Sequence, residues 1–87
     1  MNTFHLVITT PEGMLFDGEA ERLSVRAIDG DLAVMAGHMP LVTALKEGEC
    51  RVLLENETKY AECTGGILSV QKKEVRLIST DFSWKEN

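Results

Sequence analysis

The sequence predicts an all-β protein, a flattened β-sandwich or barrel of about ten short strands. Three observations predict it. Apolar and polar residues alternate with a period of two along most of the chain. Gly, Pro, Asn and Asp interrupt that alternation about every 8–12 residues, the punctuation of short strands. No long stretch keeps the 3.6-residue period of a helix.

Each element follows from its residues. Phe4, Leu6 and Ile8 alternate with His5, Val7 and Thr9, and Thr10-Pro11-Glu12-Gly13 reads as a turn. Met14-Leu15-Phe16 reads as a short strand ended by Asp17-Gly18. Leu23, Val25 and Ala27 alternate with Arg22, Ser24 and Arg26, which predicts a strand with one wet face. Asp29-Gly30 signals a tight hairpin, because Gly accepts the positive φ such turns need. The strands at Leu32–Met35 and Leu41–Leu45 read as apolar on both faces, so one face is expected to be covered by a partner. Gly37-His38-Met39-Pro40 punctuates the chain between them, a permissive residue ahead of a φ-locked one. After Glu47-Gly48, Cys50, Val52 and Leu54 alternate with Arg51, Leu53 and Glu55, and Asn56-Glu57 turns the chain. Strands are expected over Lys59 to Thr64, then Ile67 to Val70 after Gly65-Gly66, then Val75 to Ser79 after Lys72-Lys73.

With 87 residues the chain is one domain with a modest core. We divide it into a β-sandwich over residues 1–81 and a polar tail over 82–87, whose Phe82 and Trp84 are expected to pack back on the sandwich edge. Nine Lys and Arg against fourteen Asp and Glu leave a net charge of −5. That argues against a nucleic-acid groove or direct docking on anionic lipid, both of which need clustered positive charge. No apolar run approaches the ~20 residues of a membrane span. The first residues, Met1-Asn2-Thr3-Phe4-His5, lack the pattern of a signal peptide, so a cytosolic address is expected. Cys50 and Cys63 are then expected to be reduced, partly buried thiols.

The residues that chemistry requires are sparse. His5 reads as a strand residue and His38 as a loop residue at a protein contact. Neither has a visible second ligand or carboxylate partner for metal or base work, so no catalytic residue, metal site, cofactor or small-molecule ligand is expected. Gly65-Gly66 precedes a strand rather than a phosphate-binding helix. The alternative is a lipoyl- or biotinyl-type carrier domain or another protein-binding sandwich. Carriers are also small acidic β-structures with a lysine at a hairpin tip. The tips Lys46-Glu47-Gly48 and Lys72-Lys73-Glu74 lack the flanking pattern of a carrier lysine.

Read end to end, residues 4–80 resemble the N-terminal β-sandwich domain of the epsilon subunit of F-type ATP synthase. The segment Asp29 to Gly48, through Gly37-His38-Met39-Pro40-Leu41 and Thr43-Ala44-Leu45-Lys46, is similar to the family's signature. Phe4 to Glu12, Leu15 to Glu21 and Gly65-Gly66-Ile67-Leu68 are supporting matches. Ala33, Ala36, Met39 and Glu47 depart from the usual residues and bear on loop stiffness. The resemblance implies a non-catalytic rotor subunit of the central stalk, packed on the gamma subunit and touching the membrane c-ring, in a complex with alpha and beta. It would couple ion translocation to ATP synthesis or hydrolysis, peripheral to the cytoplasmic face of an energy-coupling membrane, with a bacterial cell membrane expected. It also implies that Asp29, Gly30, Asp31 and Leu32 are candidates for the c-ring contact. Thr10, His38, Met39, Leu41, Val42 and Thr43 are candidates for gamma or the ring, with Thr10 and the His38-Met39 loop expected near one end. Gly37, Pro40, Gly65 and Gly66 are structural turn positions. The helical hairpin that follows in many family members, with its brake on ATP hydrolysis, is expected to be absent from the 87 residues.

Overall fold

A computed structural model describes residues 2–85, which form ten strands and no helix. The strands are β1 (Phe4–Thr10), β2 (Gly13–Ala20), β3 (Arg22–Ala27), β4 (Gly30–Val34) and β5 (Leu41–Leu45). They continue as β6 (Gly48–Leu53), β7 (Thr58–Cys63), β8 (Gly66–Val70), β9 (Val75–Ile78) and β10 (Phe82–Trp84). They pair in the order β10-β7-β6-β3-β5-β8-β9-β1-β2, with β4 on β3, and the sheet curls into a half-barrel. The curl has a corner at β3 and β5, which share one ladder pair, Ala27 with Leu45. All pairings, this one included, are antiparallel except that of β1 with β9.

Alternation builds the core. Leu6, Ile8, Leu23, Val25, Val52, Ala61, Leu68, Val70 and Leu77 occupy every second position of their strands and are buried together. Partly buried Phe16, Leu41 and Trp84 pack on this cluster. The all-β expectation is therefore borne out.

Three differences from the sequence reading have physical causes. First, β2 does not stop at Asp17-Gly18. Asp17 pairs with Val7 and Gly18 with Leu6, so β1 carries the strand on to Ala20. Gly18 reads as a turn residue locally, yet here it lies flat in the ladder under the ring of Phe16, whose nearest atom is 3.5 Å from where a Cβ would sit. Second, the stretch Leu41–Leu45 is not buried on both faces. Leu45 is buried and Leu41 half-buried, while Val42 is 70% exposed on the outside. Third, residues 82–84 of the expected tail form β10, with Phe82 in the core and Trp84 packed on it. Residues 86 and 87 lie outside the described residues.

Gly66 holds the approach to β8. It has φ +141°, and a Cβ there would lie 2.2 Å from the carbonyl oxygen of Ile78. Only glycine lets the two strands close at that point.

Candidate functional site

The outer surface of β5, β8, β9, β1 and β2 carries a mostly apolar row, interrupted by Thr9. Ala44 pairs with Ile67, Ile67 with Ile78, Ile78 with Thr9, and Thr9 with Met14. Laterally paired residues share a face, so the row crosses five strands. Ile67, Ile78 and Met14 are each about half exposed. The amide of Ile28 donates to the carbonyl of Ala44 (3.1 Å), which brings exposed Ile28 to one end of the row. Val42 lies one row away, opposite Ser69. A face of this kind is where a soluble domain meets a partner. Of the predicted site residues Val42 lies on this face and Thr10 next to it in the chain, whereas Thr43 pairs with buried Leu68 and belongs to the inward face of β5. Ile67 and Ile78 escaped the sequence reading, although each sits one position out of phase with the buried residues of its strand.

The predicted site residues divide between two ends of the molecule. Leu41 lies in the same lateral stretch as Val70, Val75 and Leu6, whereas Leu45 lies near Gly66, with Ile78 and Thr9 beyond. Thr10 therefore sits at the Leu45 end, and His38-Met39, just ahead of Leu41, at the other. The expectation that Thr10 and the His38-Met39 loop share an end fails, because parallel pairing of β1 with β9 aligns the start of β1 with the start of β5. Strand β4 likewise separates the Asp29-Gly30 tip from His38.

The hairpin tip is exposed, with Gly30 at φ +128° as the turn requires. Asp31 lies 3.5 Å from the guanidinium of Arg26, both largely exposed. Asp29 has no ion-pair partner among the described residues, so it is the less committed carboxylate of the two. At the other end, His38 Nδ1 donates to the carbonyl of Met39 (2.7 Å), and its amide donates to Met35 (3.1 Å). A carbonyl only accepts, so Nδ1 carries a proton and Nε2 is the nitrogen left for other contacts. Met39 is 77% exposed beside it.

His5 is more connected than its alternation suggested. Its Nε2 lies 2.7 Å from Asp17 and its Nδ1 3.3 Å from Glu19, which also accepts from Thr3 Oγ1 (2.7 Å). The signal for this cluster was the register of β2, which a turn at Asp17-Gly18 concealed. The two thiols are buried and free. Burial pushes the Cys50 thiol up to about 12, and neighbouring Cys63 and Glu49 add to it, so Cys50 is a poor nucleophile. Among the described residues no group of three or more His, Cys, Asp or Glu is arranged to hold a metal ion. Among the described residues the arrangement offers an apolar face and a charged tip for binding, and none of its histidines or cysteines forms a nucleophile–base pair.

Comparison with known proteins places this geometry. Residues 3–85 match the family described as ATP synthase, Delta/Epsilon chain, beta-sandwich domain. The chain belongs to that family. It is 37% identical to the ATP synthase epsilon chain of Caldicellulosiruptor saccharolyticus over 99% of its own length and 63% of that protein's. It is 35% identical to the epsilon chain of Bacillus subtilis, over 91% of its own length and 60% of that protein's. The chain thus spans a little over three-fifths of the length of these curated relatives. Its fold matches a chain in the cryo-EM structure of Euglena gracilis mitochondrial ATP synthase (OSCP/F1/c-ring) with a TM-score of 0.89 at 21% identity, covering 97% of this chain and 54% of that one. A chain from the central stalk and c-ring of Tetrahymena thermophila ATP synthase gives 0.80 at 14% identity, covering 91% and 64%.

Proposed function

We propose that this family member is a non-catalytic subunit of the rotor central stalk of an F-type ATP synthase, joining gamma to the c-ring. The family match over nearly the whole chain carries this reading. In it, the domain transmits torque between ion translocation and ATP synthesis or hydrolysis, peripheral to the cytoplasmic face of the membrane.

The apolar row and the charged tip supply two different contacts. The row of Ala44, Ile67, Ile78 and Met14, with Val42 beside it and Thr10 at its margin, is assigned to gamma, because a long-lived contact between subunits buries apolar area; Thr43, on the inward face of β5, supports that surface from behind. The tip of Asp29, Gly30, Asp31 and Leu32 is assigned to the c-ring, where its carboxylates would dock against basic loops. His38 and Met39 are assigned to the ring or gamma.

The test is a tagged pull-down of the chain from detergent-solubilised membranes of its source, followed by mass spectrometry. Recovery of gamma with alpha, beta and the c subunit supports the reading. Recovery of none of them, or of a dehydrogenase or carboxylase complex with a modified lysine, overturns it.

A further inference from the structure

The two outer surfaces of the half-barrel differ in chemistry, and the second, on β3 and β6, borders the Asp31-Leu32 side of the hairpin tip. The chain is acidic overall and has four arginines, yet three of them, Arg22, Arg26 and Arg51, stand on the outer face of β3 and β6. The register accounts for the clustering. Ser24 pairs with Arg51 and Arg22 with Leu53, while the intervening Leu23 and Val52 are fully buried. Alternation therefore turns Arg22, Ser24, Arg26 and Arg51 to the same side. Two adjoining shallow clefts, about 320 and 240 Å³, are both lined by Arg22, Ser24 and Arg51; Asp31 and Glu49 also line the first, whereas Tyr60 and Thr58 complete the second, which has no carboxylate in its lining. Tyr60 lies opposite Arg51 across β6 and β7.

Part of this positive charge is uncommitted. Arg22 has no ion pair or side-chain hydrogen bond among the described residues. Arg51 donates from Nε to Glu49 (3.1 Å), and its two terminal amino groups have no hydrogen bond among the described residues. Glu49 is shared, since Lys85 Nζ also donates to its second oxygen at 2.9 Å. Arg26 lies 3.5 Å from Asp31. Two guanidinium forks and the hydroxyls of Ser24 and Tyr60 line one cleft and supply it with charged and neutral donors.

We propose that this face is an oxyanion site of the phosphate class, with Arg22 and Arg51 as the two forks and Ser24 and Tyr60 as hydroxyl donors. A tetrahedral phosphate offers acceptor oxygens to both forks at once, which a point cation such as lysine cannot match in geometry. The ligand is free phosphate or a phosphate group carried by a larger molecule, and both meet the same four side chains. The site is separate from the apolar row and holds whether or not the stalk reading stands.

The test is an amide NMR titration of the 87-residue chain with orthophosphate, and in a second arm a simple phosphate monoester of similar charge, at constant ionic strength. Saturable shifts centred on Arg22, Ser24, Arg51 and Tyr60 are expected. Tighter binding of the monoester identifies a phosphate group borne on a larger ligand; equal or tighter binding of orthophosphate identifies the free ion. Arg22→Ala and Arg51→Ala should each weaken binding by about tenfold or more, as expected for loss of charge-assisted hydrogen bonds. Arg22→Lys should recover only part of it, and Arg76→Ala, on β9, should leave it unchanged. Both lost guanidinium groups are exposed, and the dispersion of each variant's spectrum verifies its fold. Shifts that are linear in concentration, spread to Lys72, Lys73 and Arg76, or persist in Arg22→Ala and Arg51→Ala overturn the proposal.

Discussion

The ring of Phe16 on β2 meets the ring of Trp84 on β10 edge-on, with centroids 6.2 Å apart and planes at 63°. These strands are the two ends of the sheet order. Side chains thus close the half-barrel where backbone pairing stops. Trp84 also stacks edge-on with Phe82 at 5.1 Å, and the ammonium of Lys59 lies 4.3 Å from its ring centroid. Trp84→Ala should cost about 2 kcal/mol, because it deletes a partly buried indole and two aromatic contacts. Urea unfolding followed by circular dichroism measures it. A loss near zero would mean that the seam between β2 and β10 contributes nothing to stability.

Two glycines with positive φ should respond differently to alanine. At Gly66 the new Cβ would meet the Ile78 carbonyl at 2.2 Å, so backbone must move and the loss should be about 3 kcal/mol or more. At Gly37 nothing lies within 4 Å, and only the φ of +86° opposes substitution, at about 1 kcal/mol. Thermal melts of the two variants side by side decide this; equal losses would contradict the steric account.

Alkaline pH should unfold the protein through Cys50. The thiol titrates at about 12 when buried, against 9.0 for an ordinary cysteine. Below pH 9 both states keep the proton and the native state has its full stability. Above pH 9 the unfolded chain releases the proton and the native state does not, so stability falls until about pH 12. At about 1.4 kcal/mol per pH unit the loss is on the order of 4 kcal/mol. Denaturant midpoints measured from pH 8 to 11 should fall, and should fall less in Cys50→Ala. Identical slopes would remove Cys50 as the cause.

The Glu49 pair should show in acid. Hydrogen bonds from Lys85 and then Arg51 hold its carboxyl below the usual carboxylate value of 4.5. A depressed native value gives stability that is present above pH 4.5 and lost as pH falls through the native value. Glu49→Gln should flatten the acid limb of the stability profile slightly, and added salt should shrink the difference, since the pair lies at the surface. A salt-independent difference would contradict an exposed ion pair.

Charge reversal should separate the two carboxylates of the hairpin tip. Asp29→Lys should weaken c-ring docking and coupled ATP synthesis in reconstituted complexes while leaving the fold intact. Asp31→Lys should also weaken docking, but it additionally breaks the contact with Arg26 and sets like charges together. Unchanged assembly and synthesis in both variants would remove the tip from the ring contact.

The sequence by itself determined the fold class, nearly every strand and the family. Half-buried strands such as β3 and β6 write their inward face into alternate residues, so Leu23, Val25, Cys50 and Val52 could be read as core without coordinates. The Asp29-Gly30 hairpin was legible because its turn chemistry is local. Tertiary structure alone decided what depends on which strands are neighbours. It carried β2 through Asp17-Gly18, because pairing with Val7 and Leu6 outweighs a local turn preference. It put His5 between Asp17 and Glu19, set Thr10 and His38 at opposite ends, and turned Val42 outward. It also aligned Ala44, Ile67 and Ile78 into one row and gathered Arg22, Ser24 and Arg51 into another. The physical reason is range: alternation and turn preference act within a few residues, whereas register joins residues distant in the chain and is set only when the strands pair.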